Sequence, residues 1–320
     1  MIRRLLLVAV LTCSGTAHAQ TFAPSHVGPG VIRSWGDDQM AGVLTAWQQA
    51  FRRYHPDITF TQSLYGSGAG MAGIITGTSD LSLMGRPVTA NEVIGFEWVF
   101  RYKPLQIQVL TGDLQQDEHS PALAVFVSSQ NPLRSISKQQ LIEILGCPGM
   151  PSGATTWASA GVTGPWASRP IHAYIPDEET GTGAFLQQTL LGLGDRWNWS
   201  LVREFHDTPN QPWGAQTIAA LRQDPNGLAI STLIHAASGA KLLQIDGLSP
   251  SRETLVSARY PLTRGVYIDI NRKPDMPVSP RVAEFLRFIL SPEGQRVAAA
   301  QGSFLPLSGA DAAKQAQSLR

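Results

Sequence analysis

The chain has 320 residues, of which 43% are apolar and 15% are charged, and its formal net charge is +1. So large an apolar fraction allows a sizeable buried core, which excludes intrinsic disorder, and the length is typical of roughly two domains. The near-neutral charge excludes a strongly basic nucleic-acid-binding protein. The two cysteines are too few for a disulfide framework or a zinc finger.

The N-terminus has the pattern of a secretory signal peptide. Arg3 and Arg4 precede a short apolar stretch and a small-x-small sequence, which predicts a signal peptide over residues 1–19. The apolar stretch is too short to span a bilayer. Two alternatives are a buried N-terminal helix and a lipoprotein anchored at Cys13, whose preceding residue matches poorly. After cleavage Cys147 is the only cysteine, and we interpret it as a packed residue.

The first part of the remaining chain alternates strands with helices. Apolar residues spaced by three and four predict a helix after Asp37 and Asp38, which stand at its N-cap. A glycine-rich turn from Gly66 opens a second helix, and Thr89 with Glu92 forms a capping box for a third. The strands predicted between them are Val31–Trp35, Ile58–Leu64 and Asp80–Met84.

The alternation continues to the C-terminus. Ser137, Thr180, Ser279 and Ser291 stand where helices are predicted to begin. This order is typical of an α/β fold with mostly parallel sheets covered by helices, in which ligands bind beyond the carboxyl ends of the strands. The further predicted strands are Leu123–Ser128, Ile171–Ile175, Gly227–Ser231, Leu242–Ile245 and Tyr260–Ile270.

Two glycine-rich loops are candidate anion sites. Gly68–Gly73 fits the dinucleotide pattern G-x-G-x-x-G, but no acid ends a suitable second strand, so a nicotinamide site is weakly supported. Backbone N–H groups at a helix start still attract anions, and Thr180–Gly183 has the same character. The alternatives are a tight structural turn at the first loop and ordinary helix capping at the second.

Other chemical signals are weak. Arg86 ends a predicted strand and has the geometry to clamp an oxyanion, although the sequence alone favours a surface salt bridge. The chain lacks a G-x-S-x-G motif, a Walker loop and a histidine pair at metal-ligand spacing. We interpret His206 and Asp207 as an isolated surface pair. The sequence therefore predicts a protein that is not an enzyme and has no cofactor or metal.

Several further segments occur in a characteristic order over nearly the whole chain. They are Tyr65–Gly70, Gly77–Asp80, Leu123–Val127, Asn131–Leu133, Ser137–Leu145, Glu179–Thr182, Leu242–Gly247, Tyr260–Arg264, Phe285–Gln295 and Phe304–Leu307. Each segment alone is a weak signal, but the ordered set is specific. It resembles the phosphate-binding periplasmic proteins of ABC importers, the PstS-like family.

The resemblance implies a two-lobed fold of the type II periplasmic-binding-protein kind, each lobe a mostly parallel sheet flanked by helices. Residues 20–108 with 264–320 are expected to form the first lobe, and residues 109–263 the inserted second lobe. A hinge is expected near residues 104–110 and 259–267. The implied function is to capture phosphate or a related oxyanion between the lobes, as a periplasmic monomer that serves ABC permease subunits and binds no nucleic acid.

The resemblance also places the ligand contacts on four loops. The expected ligand-binding residues are Asp37, Asp38, Gly66, Ser67, Gly68, Arg86, Thr180, Gly181 and Thr182.

The sequence departs from the family's phosphate pattern in ways that matter for charge. Gly85 stands where the family has an aspartate that accepts the ligand's proton, and Pro176–Glu179 lack the family's arginine. Asp37 and Asp38 of the first loop, together with Glu178 and Glu179, would place four acids at a site whose one obvious cation is Arg86. Carboxylates in such excess would repel a dianion. A sensory or protein-interaction module with altered or lost phosphate binding is therefore the alternative hypothesis.

Overall fold

The computed structural model describes residues 22–114, 120–146, 155–192 and 196–319. The predicted signal peptide, Cys13 and Cys147 lie outside these ranges. Within them, no helix combines the length and the apolar character needed to cross a membrane.

Strands and helices alternate along much of the described chain. The strands are β1 (Gly30–Gly36), β2 (Ile58–Leu64), β3 (Leu81–Met84), β4 (Leu105–Gly112), β5 (Ala124–Ser128), β6 (Ser135–Ile136), β7 (His172–Pro176), β8 (Val202–Phe205), β9 (Gly227–Ser231), β10 (Ala240–Leu242), β11 (Gln244–Ile245), β12 (Gly265–Ile270) and β13 (Phe304–Pro306). The helices are α1 (Ala41–Phe51), α2 (Ser67–Thr76), α3 (Ala90–Phe100), α4 (Lys138–Leu145), α5 (Gly181–Leu190), α6 (Trp213–Gln223), α7 (Arg252–Val256), α8 (Pro280–Leu290), α9 (Pro292–Gln301) and α10 (Gly309–Gln317).

Two mixed sheets organise the described part of the chain. The first has the order β13-β4-β12-β3-β1-β2, with β1 parallel to β2 and β3, and with β12 antiparallel to both of its neighbours. The second has the order β10-β5-β9-β7-β8, with β7 parallel to β8 and β9, and with β5 antiparallel to β9 and β10. Most strands in each sheet run in one direction, as predicted. Strands β12 and β13 in the first sheet and strand β5 in the second run in the opposite direction.

Local patterns placed most elements correctly. The apolar face predicted for α1 is buried at Val43, Leu44, Trp47 and Phe51, and the capping boxes at α3 and α4 are formed. The strand predicted from Tyr260 begins only at Gly265, because Tyr260–Thr263 forms a turn in which the Thr263 N–H donates to the Tyr260 carbonyl. The strand predicted over Leu242–Ile245 is divided between β10 and β11.

Two chain segments connect the sheets and run side by side. The chain leaves the first sheet after β4 and re-enters it at β12. The Gly112 N–H donates to the Arg264 carbonyl at 2.9 Å, and the Leu123 N–H donates to the Leu262 carbonyl at 3.1 Å. The loops that follow β1, β2 and β3 therefore face the loops of the second sheet across this paired connection.

The segment that begins at Phe22 is held against the first sheet's helices by buried acids. Glu293 accepts hydrogen bonds from the Phe22 N–H at 3.0 Å, the Tyr54 hydroxyl at 2.7 Å and the Arg53 guanidinium at 3.0 Å. Glu284 accepts the Ser25 N–H at 2.7 Å. These hydrogen bonds favour the ionised form and keep the pKa of Glu293 below its usual value, although burial opposes them.

We expect the substitution Glu293→Gln to lower the free energy of unfolding by about 1–3 kcal/mol at pH 7, because charge-assisted bonds to three donors are lost. Urea unfolding followed by circular dichroism measures this change. A carboxyl with a lowered folded-state pKa stabilises the fold above its unfolded pKa and loses this effect as the pH falls through the folded value. The difference between the two proteins should therefore shrink in acid, and a difference that grows in acid would contradict the assignment.

Candidate ligand-binding site

A cavity of about 560 Å³ lies where the loops of the two sheets face each other. The first sheet contributes the loops after β1 and β2, and the second contributes the start of α5 and the loop before α6. Its walls are formed by residues 37–39, 66–67, 121, 180–182, 207–213 and 264. Of the nine residues expected from the sequence, seven line this cavity, whereas Gly68 and Arg86 do not.

The loop after β1 carries the most buried acid of the cavity. The Asp37 N–H donates to the Leu83 carbonyl at 2.9 Å, which fixes the loop against β3. The Asp37 carboxylate accepts hydrogen bonds from the Gln39 N–H at 3.0 Å and the Ser67 hydroxyl at 3.1 Å. Burial raises the pKa of Asp37, and these hydrogen bonds together with the nearby Arg264 charge oppose that shift.

The start of α2 links three loops through one hydroxyl. The Ser67 hydroxyl donates to Asp37 and accepts the Gly85 N–H at 3.1 Å. Gly70, one turn further, lies so close to β3 that a Cβ there would be 2.4 Å from the Ser82 hydroxyl. The glycine-rich run therefore serves tight packing of helix on sheet as well as the cavity. Gly68 is exposed and does not line the cavity.

Arg264 is the cation of the cavity, and sequence reasoning missed it. It lies immediately before β12 and is only 3% exposed. Its Nη1 donates to the Thr182 hydroxyl at 3.0 Å and its Nη2 to the Gly85 carbonyl at 2.9 Å, so it bridges the two sheets. Its Nε has no partner in the described part of the chain. Burial lowers the pKa of Arg264 to about 10, which leaves the guanidinium charged at neutral pH.

Arg86, the cation expected from the sequence, is paired elsewhere. Its guanidinium donates to both carboxylate oxygens of Glu92 at 2.8 Å and to the Pro87 carbonyl at 3.0 Å. Glu92 is the acid of the α3 capping box, so the capping signal already placed a carboxylate six residues from Arg86. The bidentate pair neutralises the guanidinium and removes it from the ligand cavity.

The second sheet contributes two helix starts. At α5, the Thr180 hydroxyl accepts the Gly183 N–H at 3.0 Å, so part of its bonding capacity is used as a helix cap. Glu178 and Glu179 do not line the cavity, and the Glu178 carboxylate instead accepts the Gln187 amide at 3.3 Å. The acid from this side is Asp207, which is exposed, as the sequence predicted, and which also lines the cavity.

The lack of a side chain at Gly85 leaves room for Asp37 on the loop that follows β1. A Cβ at Gly85 would lie 2.1 Å from the Asp37 carboxylate and 2.4 Å from the Ser120 hydroxyl. The space that a side chain at position 85 would occupy is therefore filled by the carboxylate of Asp37. An acid at position 85, which the family resemblance led us to expect, would not fit beside this carboxylate.

A sequence profile described as the PBP superfamily domain matches residues 23–293. The chain belongs to the PBP superfamily. The phosphate-binding protein PstS of Pseudomonas aeruginosa is 27% identical over 288 residues, covering 87% of this chain and 83% of the relative. The PstS protein of Staphylococcus saprophyticus is 23% identical over 319 residues, covering 96% and 88%. The resemblance to the PstS-like family is thus confirmed.

Solved structures confirm the fold class of this PBP superfamily member. The structure of PstS from Borrelia burgdorferi superposes with a TM-score of 0.60 at 18% identity, covering 87% of this chain and 99% of that chain. An ABC-type phosphate transport receptor from Vibrio cholerae gives a TM-score of 0.57 at 16% identity, with coverage of 86% and 99%. At these identities the likeness concerns the fold.

Gly85→Ala tests the packing of the first loop. The added methyl group forces Asp37 from its position, and we expect a loss of about 1–3 kcal/mol in the free energy of unfolding. Gly68→Ala is the matched control, because a Cβ there meets nothing within 4 Å and alanine favours a helix. Thermal unfolding compares the two variants. Equal stability of both would show that Asp37 does not occupy the space at Gly85.

Proposed function

We propose that this protein captures phosphate or a related oxyanion in the cavity between its two sheets. The observation that carries the proposal is the buried guanidinium of Arg264, which lines the cavity together with Ser67 and Thr182. The N-termini of α2 and α5 open onto the same cavity and supply partial positive charge. Relatives named phosphate-binding proteins span most of the chain.

Asp37 is proposed to recognise the proton of the ligand. Hydrogen phosphate carries a hydrogen that an ionised carboxylate accepts, whereas sulfate has none at neutral pH. The carboxylate of Asp37 fills the space beside Gly85, which is where the family resemblance puts an acid with this role. The remaining expected contacts, Asp38, Gly66 and Thr180–Thr182, line the same cavity and belong to the proposed site.

We further propose that the protein is exported by the N-terminal signal peptide and works in the periplasm as a monomer for an ABC permease, without chemistry, cofactor or metal. Within the described ranges, no group of three or more histidine, cysteine or acidic residues is placed to hold a metal ion. The family relationship and the transport receptor among the structural relatives support this role. A sensory module that has lost phosphate binding is less well supported, because the relatives that span most of the chain are named phosphate-binding proteins.

The lobes and the hinge belong to the same proposal. The six-stranded and five-stranded sheets support a division into residues 20–108 with 264–320 and residues 109–263. The paired connection, in which Gly112 and Leu123 bond to Arg264 and Leu262, supports a hinge there. On the first connecting segment, this hinge begins at Gly112, just after the expected residues 104–110. On the second segment, Leu262 and Arg264 lie within the expected residues 259–267. Closure about it would enclose the ligand.

Arg264→Gln is expected to weaken phosphate binding by at least about 100-fold, because the charged hydrogen-bond donor is lost from a buried site. Isothermal titration calorimetry with orthophosphate measures this change. Arg222→Gln is the control, since Arg222 is exposed in the last turn of α6, whose first turn faces the cavity. Circular dichroism verifies the fold of both variants, and an unchanged affinity in folded Arg264→Gln would overturn the proposal.

The role of Asp37 predicts a specific pH dependence. Its raised pKa means that acidification protonates the carboxyl, which then stops accepting the ligand's hydrogen. The ratio of the phosphate affinity of the native protein to that of Asp37→Asn should therefore fall as the pH is lowered from 7 through the raised pKa of Asp37. At pH 7 the variant should also discriminate less against sulfate. A ratio that does not change with pH would argue against the role.

A further inference from the structure

The charges around the cavity do not match a simple dianion. Its described walls carry three carboxylates, Asp37, Asp38 and Asp207, against the single guanidinium of Arg264. Asp37 is buried beside Arg264, which attracts it. Asp38 and Asp207 are exposed at the cavity and form no salt bridge within the described part of the chain. An excess of negative charge therefore remains on the outer part of the wall.

The loop that carries Asp207 is firmly built. Thr208 and Gln211 exchange backbone hydrogen bonds of 3.1 and 3.2 Å, which close a turn at the cavity edge. One oxygen of Asp207 accepts the Trp213 N–H at 2.8 Å, so the acid is fixed at the start of α6. The half-buried Trp213 lines the cavity next to it. Carboxylates beside an indole ring form the kind of surface that attracts an organic cation.

The part of the cavity wall that contains Arg264 is suited to an anion. The guanidinium is only 3% exposed, and one of its hydrogen bonds goes to the Thr182 hydroxyl, which lines the same cavity. The volume of about 560 Å³ falls in the range typical of sites for organic molecules, roughly 300–1,000 Å³. One cavity thus combines a buried guanidinium with two exposed carboxylates and an indole ring.

We propose that the preferred ligand is a small phosphate monoester or phosphonate that also carries an ammonium group. This inference rests on the proposed function and specifies its ligand class. The phosphoryl group lies against Arg264, Ser67 and Thr182, and the ammonium lies between Asp38, Asp207 and the Trp213 ring. The ammonium balances the rim charge that would repel inorganic phosphate.

Calorimetric titration with phosphoethanolamine, ethyl phosphate and orthophosphate tests the proposal. Phosphoethanolamine and ethyl phosphate share a phosphoryl group and a two-carbon chain and differ in the ammonium. We expect phosphoethanolamine to bind about tenfold more tightly than ethyl phosphate, from two exposed charge pairs and a cation–π contact. The preference should weaken as salt is added, because exposed charges are screened.

The double variant Asp38→Asn/Asp207→Asn should abolish this preference while tightening orthophosphate binding, since like charge is removed. Asp57→Asn is the matched control, because Asp57 is exposed at the opposite end of β2 from the cavity. Equal or tighter binding of ethyl phosphate by the native protein, or a preference that persists in the double variant, would overturn the inference. Orthophosphate binding alone would leave the proposed function intact, and no binding of any of the three compounds would refute both.

Discussion

The candidate site depends on one buried positive charge. Removing a guanidinium from water is costly unless hydrogen bonds and an opposite charge compensate it. The fold provides a hydroxyl from one sheet, a carbonyl from the other and the neighbouring carboxylate of Asp37. These groups come from separate loops of both sheets, so the charge is tolerated only when both sheets are assembled. The cavity, its polarity and its position between the sheets follow from this requirement.

Local sequence patterns predicted most of the elements but not the charge arrangement. Helix α1 and the capped starts of α3, α4 and α5 follow from spacing and capping, which act over a few residues. Whether Arg86 or Arg264 faces the ligand depends on which carboxylate each meets, and those contacts are set by packing. The Glu92 capping box did hold a signal, since it placed an acid near Arg86. For Arg264, the signal was its position at the end of the Tyr260–Arg264 segment.

The sequence alone could not predict that the carboxylate of Asp37 fills the space beside Gly85. Compared with the family's phosphate pattern, the sequence lacks the expected acid at Gly85 and has an additional acid at Asp37. In three dimensions the two positions are coupled, because the absence of a side chain at Gly85 makes room for the carboxylate of Asp37. For Asp207, the sequence predicted exposure but could not predict that the residue lines the cavity. Its hydrogen bond from the Trp213 N–H and the adjacent turn between Thr208 and Gln211 form only in the folded chain.

The bridge made by Arg264 has a kinetic consequence. Its Nη1 and Nη2 donate to Thr182 and to the Gly85 carbonyl, so hydrogen bonds to one side chain join the two sheets. A second tie, from the Gln188 amide to the Val88 carbonyl at 2.9 Å, lies nearby. Separation of the two sheets breaks both ties, so opening of the cavity has to overcome these hydrogen bonds. The ties therefore slow the entry and the escape of any molecule for which the cavity has to open.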